Sequence, residues 1–280
     1  MERFAIIGFG CAGYHGLAAI REAGCDAAID IYSDTALPPY NPMLTTYYVK
    51  EAIPYGALFP FGSLEAICTD LNLNYYGDRP VTGIIPQEKI LCFADGSRVQ
   101  YDQILISTGA SALMPPIPGL NQPGVFKMRT AEDAVQLKEM LDAGTIKSGL
   151  VIGASWVGIK VVEDLAERDI PCTLVDGADW MFYTAAFKET AERARKDLEA
   201  RGIGVHCAQM LERVEREPDG RLTAVMQSGS RFTADAVAVC IGVRMNVDFL
   251  RESGIAVKRG VLVNRRMETN YKGIFAAGDC

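Results

Sequence analysis

The sequence has only two histidines, and none of its eight cysteines forms a C-x-x-C pair or a zinc-binding spacing with histidine. This scarcity argues against a structural metal and against a disulfide-reducing dithiol; it is typical of reduced thiols in a cytosolic protein. No apolar run approaches the roughly 20 residues that span a membrane. The N-terminus runs directly into a strand-like segment and leaves no room for a signal peptide, so we expect a cytoplasmic protein without membrane contact.

Lysine and arginine are outnumbered by aspartate and glutamate, 28 to 35, and are scattered along the chain. The net charge is −7, and no cluster of lysine and arginine stands out, which argues against nucleic acid or anionic lipid as a partner. With 49% hydrophobic and 22% charged residues, the composition is that of a soluble globular protein. A length of 280 residues is enough for two domains with separate cores. Phosphate binding remains open, because backbone N–H groups at a helix N-terminus hold phosphates without basic side chains.

One glycine-rich signature is present twice. The first copy, GFGCAG, occupies residues 8–13, and the second, GASWVG, occupies residues 153–158. Each copy follows a short apolar strand and enters an amphipathic helix, as in a dinucleotide-binding unit. A carboxylate suited to a ribose follows each copy, Asp34 after the first and Asp176 after the second. Two copies indicate two bound nucleotides, and electron transfer is the chemistry that most naturally joins them.

The second copy departs from the pattern at its middle glycine, where the chain has Ser155. A serine Cβ narrows the approach of a pyrophosphate, and a serine hydroxyl can instead donate a hydrogen bond to a phosphate. No lysine or arginine lies close to Asp176 in the sequence, so a 2′-phosphate would meet negative charge there. This pattern favours NADH over NADPH.

Strand-like and helix-like segments alternate around both signatures, which predicts an α/β fold with parallel sheets. Asp95-Gly96 predicts a hairpin, and residues 130–133 predict a capping box at the start of a helix. A proline-rich linker at residues 114–119 separates the two halves. The last residues form an apolar strand, and chain ends prefer the surface, so we expect the chain to be a fragment.

Together with Thr108-Gly109 and the segment 277–279, the two signatures resemble those of the flavoproteins called pyridine nucleotide-disulfide oxidoreductases. The resemblance covers essentially the whole chain. Tyr32-Ser33-Asp34 and residues 38–42 are most similar to NADH-dependent ferredoxin and rubredoxin reductases and to the flavin module of NADH nitrite reductases. The family's segment that returns from the NAD domain is similar to residues 242–246.

The resemblance implies two Rossmann-like domains, the second inserted into the first, without the C-terminal interface domain. Residues 1–115 and 243–280 would bind FAD, and residues 116–242 would bind NAD. The residues implied at FAD are Gly8, Gly10, Cys11, Ala12, Gly13, Ser33, Asp34, Val81, Thr108, Gly109, Gly278 and Asp279. Those implied at NADH are Gly153, Ser155, Gly158, Asp176 and Gly242. Asp279 would bind the ribityl or pyrophosphate part of FAD; its alternative role is to cap a helix that the chain lacks.

Three positions depart from the family pattern. Residues 43–46 lack the redox cysteine of the disulfide-reducing relatives, which disfavours a flavin–thiol relay. Pro42 stands where the reductases usually have arginine, which removes one cofactor contact. Lys160 stands where many relatives carry a glutamate paired with a lysine near flavin N5, and Tyr47 or Thr46 stands at the place of that lysine.

Two residues of the second signature are therefore candidates for catalysis. Lys160 would stabilise the anionic reduced flavin as a nearby cation; the alternative is an ordinary solvated lysine on a helix. Trp156 takes the position of the aromatic gate that covers the flavin face in relatives. Its alternative is a core residue packed between helix and sheet. Tyr47 and Tyr48 would approach the substrate face of the flavin.

The predicted function is an FAD-dependent NAD(P)H oxidoreductase, in which hydride passes from NADH to FAD and electrons pass on to a redox protein or a small oxidant. One alternative is a nucleotide-binding or regulatory module that has lost turnover. A thiol–disulfide oxidoreductase is the other, disfavoured by the missing cysteine. The resemblance also implies a homodimer for the full-length protein, with the C-terminal segment at the interface and in the acceptor site.

Overall fold

The computed structural model describes residues 2–280, and its internal contacts divide the chain into two compact units. Unit 1 consists of Met1–Asn41, Phe59–Ser111 and Arg244–Cys280; unit 2 consists of Pro42–Leu58 and Ala112–Val243. The expected boundaries placed residues 42–58 in the first domain. That placement is wrong for the structure, because this segment packs on helices of unit 2.

The strands are short and mostly buried, and in chain order they are β1 (Arg3–Ile7), β2 (Ala28–Tyr32), β3 (Asn74–Tyr76), β4 (Val81–Ile85), β5 (Ile90–Phe93), β6 (Arg98–Gln100), β7 (Gln103–Ile106), β8 (Ala110–Ala112), β9 (Val125–Lys127), β10 (Gly149–Ile152), β11 (Cys172–Val175), β12 (Gly204–His206), β13 (Leu211–Arg216), β14 (Leu222–Met226), β15 (Arg231–Ala234), β16 (Ala236–Val239), β17 (Val243–Met245) and β18 (Ile274–Ala276). The α-helices are α1 (Cys11–Glu22), α2 (Thr45–Val49), α3 (Leu64–Asp70), α4 (Ala131–Asp142), α5 (Trp156–Ala166) and α6 (Lys188–Ala200). Short 3₁₀ turns occupy Pro42–Leu44, Tyr55–Leu58 and Asp248–Leu250.

Unit 1 is built on a five-stranded parallel sheet in the order β3-β2-β1-β7-β18. When the five strands of this sheet are numbered in chain order, the order is 3-2-1-4-5, which is that of a doubly wound dinucleotide-binding fold. β1 and β2 are nearly continuous apolar runs, as strands covered on both faces must be. An antiparallel sheet β4-β5-β6 completes the unit, and the hairpin predicted at Asp95-Gly96 joins its last two strands, which confirms that prediction.

Unit 2 repeats the plan with a parallel sheet in the order β12-β11-β10-β16-β9. A second sheet, β13-β14-β15, is antiparallel. The predicted capping box at α4 is confirmed: the Thr130 side chain accepts from the backbone N–H of Asp133, and the Asp133 carboxylate accepts from that of Thr130. In both units the glycine signature lies at the carboxyl end of the central strand, where such folds bind ligands.

Helix α2 is an α-helix that the sequence did not predict. Its five residues, TTYYV, are β-branched or aromatic and have weak helix propensity. Packing against α4 and α5 stabilises the helix in place of intrinsic propensity. Charged contacts add to it, since Arg168 donates to the Val49 carbonyl at 2.9 Å and Lys138 pairs with Glu51 at 2.6 Å.

Within residues 2–280 we find no helix that is both long and apolar enough to cross a membrane. The same residues contain no group of three or more histidine, cysteine or carboxylate side chains placed to hold a metal ion.

Candidate functional site

In the turn between β1 and α1, the protein's own packing requires two of the three glycines of the first signature. Gly8 has a φ of +91°, and a Cβ there would lie 2.4 Å from the Ser107 carbonyl oxygen. A Cβ on Gly13 would lie 2.5 Å from the Gly8 carbonyl oxygen. Gly10 is different, because a Cβ there would meet nothing within 4 Å and its φ of −83° suits any residue. The space that Gly10 keeps open is therefore available to a ligand.

Helix α1 begins without a side-chain cap. Among the described residues, no hydrogen-bond acceptor faces the backbone N–H groups of Cys11, Ala12 and Gly13; the first N–H bonded within the helix is that of Tyr14, to the Gly10 carbonyl at 3.0 Å. Three unpaired N–H groups at the positive end of a helix dipole form a phosphate-binding site. The first signature thus offers its backbone to a pyrophosphate.

A cavity of about 280 Å³ lies beside this turn in unit 1. Five of the predicted FAD residues line it: Gly8, Ser33, Asp34, Val81 and Thr108. The Asp34 side chain is exposed at the end of β2. In the part of the chain that the structure describes, no hydrogen bond to its carboxylate is present, so both oxygens are available to ribose hydroxyls.

The other predicted FAD residues lie outside the cavity wall. Gly278 follows β18 with a φ of +85°, and a Cβ there would lie 2.9 Å from the Ala12 Cβ, which places this glycine against the first turn of α1. Asp279 comes next in the chain, and Gly109 follows Thr108 with a φ of +63°. The ends of β1, β7 and β18 therefore converge on one edge of the sheet.

The second signature in unit 2 has the same backbone requirements. Gly153 has a φ of +108°, and a Cβ there would lie 2.4 Å from the Cys240 carbonyl oxygen. A Cβ on Gly158 would lie 1.9 Å from the Gly153 carbonyl oxygen. Gly242, which follows β16, has a φ of +119° and open space where its Cβ would be. These three glycines keep the same kind of turn and a clear approach to it.

Ser155, in the middle of the second signature, caps helix α5. Its hydroxyl donates to the Cys240 carbonyl at 2.9 Å and accepts from the Gly158 backbone N–H at 3.3 Å, as the N-cap of α5. A hydroxyl can donate one hydrogen bond, and here the Cys240 carbonyl accepts it. In the structure the serine thus serves as a helix cap, and a hydrogen bond from its hydroxyl to a phosphate would have to replace the one to Cys240.

Asp176 at the end of β11 is held by backbone N–H groups on both carboxylate oxygens. The Ala154 N–H, in the glycine turn, donates to one oxygen, and the Ala178 N–H donates to the other at 2.7 Å. Each oxygen keeps a free lone pair for a ribose hydroxyl. The carboxylate is thus fixed in place before any nucleotide arrives.

Trp156, the first residue of α5, is 63% exposed and stacks on Phe182 with 4.2 Å between ring centroids. The alternative of a core residue between helix and sheet is therefore wrong. An exposed indole at the start of the helix is free to be displaced by a ligand, as a gate requires.

Lys160 lies on the next turn of α5 with 45% of its side chain exposed. Its ammonium pairs with Glu163 at 2.7 Å, and Glu163 also accepts from Arg201 at 2.9 Å. The Glu163 hydrogen bond and, more weakly, the nearby Tyr47 hydroxyl raise the pKa of Lys160. Lys160 is therefore a paired cation, and it lies beside α2.

Comparison with known proteins places the chain in a family. A model of the family described as pyridine nucleotide-disulphide oxidoreductase matches residues 2–280. The chain belongs to this family. It is 28% identical over 283 residues to an NADH oxidase of Methanocaldococcus jannaschii, covering 99% of this chain and 63% of that protein. It is 27% identical over 281 residues to a rubredoxin-NAD(+) reductase of Pseudomonas putida, covering 98% of this chain and 71% of that protein.

A solved ferredoxin reductase from Rhodopseudomonas palustris has the same fold, with a TM-score of 0.92 and 23% identity over 100% of this chain and 68% of its own. The resemblance read from the sequence and the α/β class are thus confirmed. The chain spans slightly less than two thirds of the NADH oxidase that it matches.

FAD and NAD(H) are the cofactors of this family, and the residues present fit them. The open space at Gly10 and the unpaired N–H groups of α1 suit a dinucleotide pyrophosphate in unit 1. The Asp34 carboxylate stands at the cavity for a ribose. In unit 2 the fixed Asp176 carboxylate and the open space at Gly242 suit the ribose of a second dinucleotide.

Asn246 is the residue of this site that sequence reasoning missed. Its side chain donates to the Thr108 carbonyl at 3.0 Å and accepts from the Ser111 hydroxyl at 2.9 Å, and its carbonyl accepts from the Thr108 hydroxyl at 2.7 Å. It lines the cavity together with Tyr32 and Pro80. The only signal was its place in the segment 242–246, which the family resemblance had already marked. Asn246 ties the end of β7 to the returning chain and so shapes the cavity wall.

Proposed function

We propose that this chain is the FAD- and NADH-binding part of an oxidoreductase, with FAD resident on unit 1 and NADH bound by unit 2. The observation that carries the proposal is the repeated glycine turn, in which packing requires the first and last glycines and Gly10 keeps open a space that nothing in the protein fills. The relatives that the chain matches along nearly its full length are named as an NADH oxidase and NAD(+) reductases, which supports the same chemistry.

When bound, FAD supplies a ring that accepts hydride from NADH and passes electrons on to an acceptor. The chain's own residues bind and orient. The N–H groups of Cys11, Ala12 and Gly13 hold the pyrophosphate of FAD, with Ser33, Gly109, Gly278 and Asp279 around it, and Asp34 accepts from its ribose hydroxyls. On unit 2, Gly153 and Gly158 keep the turn, Gly242 leaves room for NADH, and Asp176 accepts from its ribose and repels a 2′-phosphate.

Lys160 and Trp156 are the residues to which we assign roles beyond binding. The cluster of Lys160, Arg201 and Glu163 carries a net positive charge, which stabilises negative charge developing on a nearby ring. The exposed Trp156 covers the place of the nicotinamide until NADH displaces it. The Lys160→Ala variant should lower both the flavin reduction potential and the rate of reduction by NADH; if both stay at wild-type values, Lys160 has no such role.

A thiol–disulfide relay finds no support in the thiols. All eight cysteines are free. Burial raises the pKa of Cys172 to about 11 and that of Cys240 to about 12, which keeps both thiols uncharged and unreactive. The remaining alternative, a nucleotide-binding module without turnover, shares every backbone feature described above, so only an experiment separates the two.

We further propose that the full-length protein is a cytoplasmic homodimer whose electron acceptor is a small redox protein or a small oxidant. The relatives named as rubredoxin-NAD(+) and ferredoxin--NAD(+) reductases support a redox-protein acceptor. Neither nucleic acid nor membrane is a partner in this proposal, in keeping with the net charge of −7.

The deciding experiment uses the full-length protein loaded with FAD. Under anaerobic conditions NADH should bleach the flavin absorbance, and NADPH at equal concentration should do so more slowly. Rubredoxin, ferredoxin and dioxygen are then offered in turn as acceptors for the reduced protein. A protein that takes up FAD but is not bleached by NADH is the binding module without turnover, and one that cannot take up FAD refutes the assignment of unit 1.

A further inference from the structure

Asp164 is a buried residue of α5, a helix that packs against α2. Its side chain is 1% exposed, and neither carboxylate oxygen has a hydrogen-bond partner among the described residues. Buried carboxylates normally have partners, because an unpaired charge away from water is costly. Burial raises the pKa of Asp164 to about 7, against the opposing effect of Lys50. None of the binding roles described above uses this residue.

The cation that most strongly lowers the pKa of Asp164 is Lys50, which follows α2 directly. Its side chain is 28% exposed, and its one ion pair within residues 2–280 is a loose contact with Glu167 at 3.9 Å. The ammonium otherwise lies over the ring of Tyr47, 5.6 Å from the ring centroid. Of the charges near Asp164, that of Lys50 has the largest effect on its pKa. The unpaired buried carboxyl of Asp164 is thus three residues before Glu167, the carboxylate that the loosely held Lys50 ammonium contacts.

Tyr47 connects this pair to the rest of the site. Its ring lies under Lys50, and its side chain is close enough to Lys160 to help raise the pKa of that ammonium. A movement of Lys50 off the ring therefore changes the surroundings of Lys160. The tyrosine is 42% exposed, so it has room to turn.

We propose that Asp164 and Lys50 form a proton-gated ion pair between α5 and α2, which sets the position of Tyr47 beside Lys160. With Asp164 protonated, Lys50 stays over the Tyr47 ring and near Glu167, as the structure has it. With Asp164 ionised, Lys50 moves to the carboxylate and releases the ring. Asp164 is a positioning residue, because it acts only through Lys50 and Tyr47.

The charges facing Asp164 decide the direction of each effect. On α5 and its end these are Lys160, Glu163 and Glu167, and from the α2 segment Lys50. The strands β10, β11 and β16, which also pack on α5, carry no charged residue, and Arg201 at the end of α6 pairs with Glu163. Cations favour the ionised form and carboxylates favour the protonated form. Removing Lys50 must therefore raise the titration midpoint of Asp164, and removing Glu167 must lower it.

The test is a pH titration by NMR of full-length protein with ¹³C-labelled aspartate and tyrosine, without NADH. The Asp164 carboxyl signal is assigned by its loss in Asp164→Asn. We expect a midpoint near neutral pH. The midpoint should rise by about one pH unit in Lys50→Gln, which removes a cation, and fall in Glu167→Gln, which removes a carboxylate. Lys160→Gln serves as a control with a smaller effect, since Glu163 already pairs with that ammonium. The Tyr47 ring signal should follow the same midpoint and become independent of pH in Asp164→Asn and Lys50→Gln.

A carboxyl that titrates below pH 5, or a Tyr47 signal that ignores Asp164, overturns the proposal. Asp164→Leu is a second variant that removes the proton site if Asp164→Asn folds poorly. The consequence for Lys160 rests on the proposed function, but the titration does not, because it is read without NADH. Failure of flavin reduction with an intact titration thus counts against the proposed function alone, and a missing titration with normal flavin reduction counts against the ion pair alone.

Discussion

The substitution of Gly10 by alanine tests the central claim that this glycine is needed by a ligand and not by the fold. A Cβ at Gly10 meets nothing within 4 Å, whereas one at Gly13 lies 2.5 Å from the Gly8 carbonyl oxygen and 3.0 Å from the Ser107 hydroxyl. The two positions belong to one turn and the change adds the same methyl group. Gly10→Ala and Gly13→Ala are therefore a matched pair with opposite expectations.

The magnitudes follow from these surroundings. Alanine is a poorer N-cap than glycine by a few tenths of a kcal/mol to about 1 kcal/mol, and the loss of chain entropy in the unfolded state returns about 0.4–1 kcal/mol. We therefore expect the free energy of unfolding of Gly10→Ala to stay within about 1 kcal/mol of wild type. Gly13→Ala forces a methyl group against backbone and should cost about 1–3 kcal/mol or more. At Gly10 the methyl group occupies the approach of the pyrophosphate, and we expect at least a roughly tenfold loss of FAD affinity, about 1.4 kcal/mol.

Two measurements on the full-length protein check this. Urea unfolding without FAD gives the stability of each variant, and quenching of flavin fluorescence on titration gives the FAD affinity. Wild-type FAD affinity in Gly10→Ala would refute the reasoning that the open space belongs to the cofactor. A loss of stability in Gly10→Ala equal to that in Gly13→Ala would refute the reading of the turn itself.

The remaining predictions concern unit 2. Asp176→Ser should reduce the preference for NADH over NADPH about tenfold or more, because it removes the charge that repels a 2′-phosphate; the ratio of kcat/KM for the two nucleotides measures it, and an unchanged ratio contradicts it. Trp156→Ala should change the rate of flavin reduction by NADH while the free energy of unfolding stays within about 0.5 kcal/mol, since the side chain is 63% exposed; equal stopped-flow rates would rule out the gate. Burial raises the pKa of Asp164 from 3.8 to about 7. Between these two pH values the folded protein keeps a proton on Asp164 that the unfolded chain has lost. Stability relative to Asp164→Leu should therefore fall by about 4 kcal/mol as pH rises from about 4 to about 8 and stay level above that; a stability difference that does not change across this range would contradict it.

The parts of the fold that sequence could predict are those that depend on local rules. The glycine turns, the capping box at Thr130 and the hairpin at Asp95-Gly96 each need particular residue types at fixed spacing, and each is present in the structure. The two parallel sheets followed from alternating apolar strands and helices. Propensity and turn chemistry therefore sufficed for the framework of both units.

What the sequence could not predict depends on contacts between distant residues. The Ser155 hydroxyl donates to Cys240, 85 residues away, and no local pattern reveals that acceptor. Asn246 bonds to Thr108 across 138 residues. Helix α2 forms against its own propensity because α4 and α5 cover it. The burial of Asp164 has the same origin, since its neighbours in sequence are the ordinary polar and apolar residues of an amphipathic helix.

The N-termini of α1 and α5 differ in how many backbone N–H groups are hydrogen-bonded within the protein, and this difference has a kinetic consequence. α5 uses the Ser155 side chain to satisfy the Gly158 N–H, whereas α1 leaves the equivalent N–H of Gly13 to its ligand. A hydrogen bond to a charged group is worth about 1.5–3 kcal/mol, and differences of that size act mostly on the dissociation rate. A nucleotide on α5 should therefore leave roughly ten to a hundred times faster than it would from a turn like that of α1. In the proposed function, this one serine would separate a coenzyme that stays bound from a coenzyme that exchanges at every cycle.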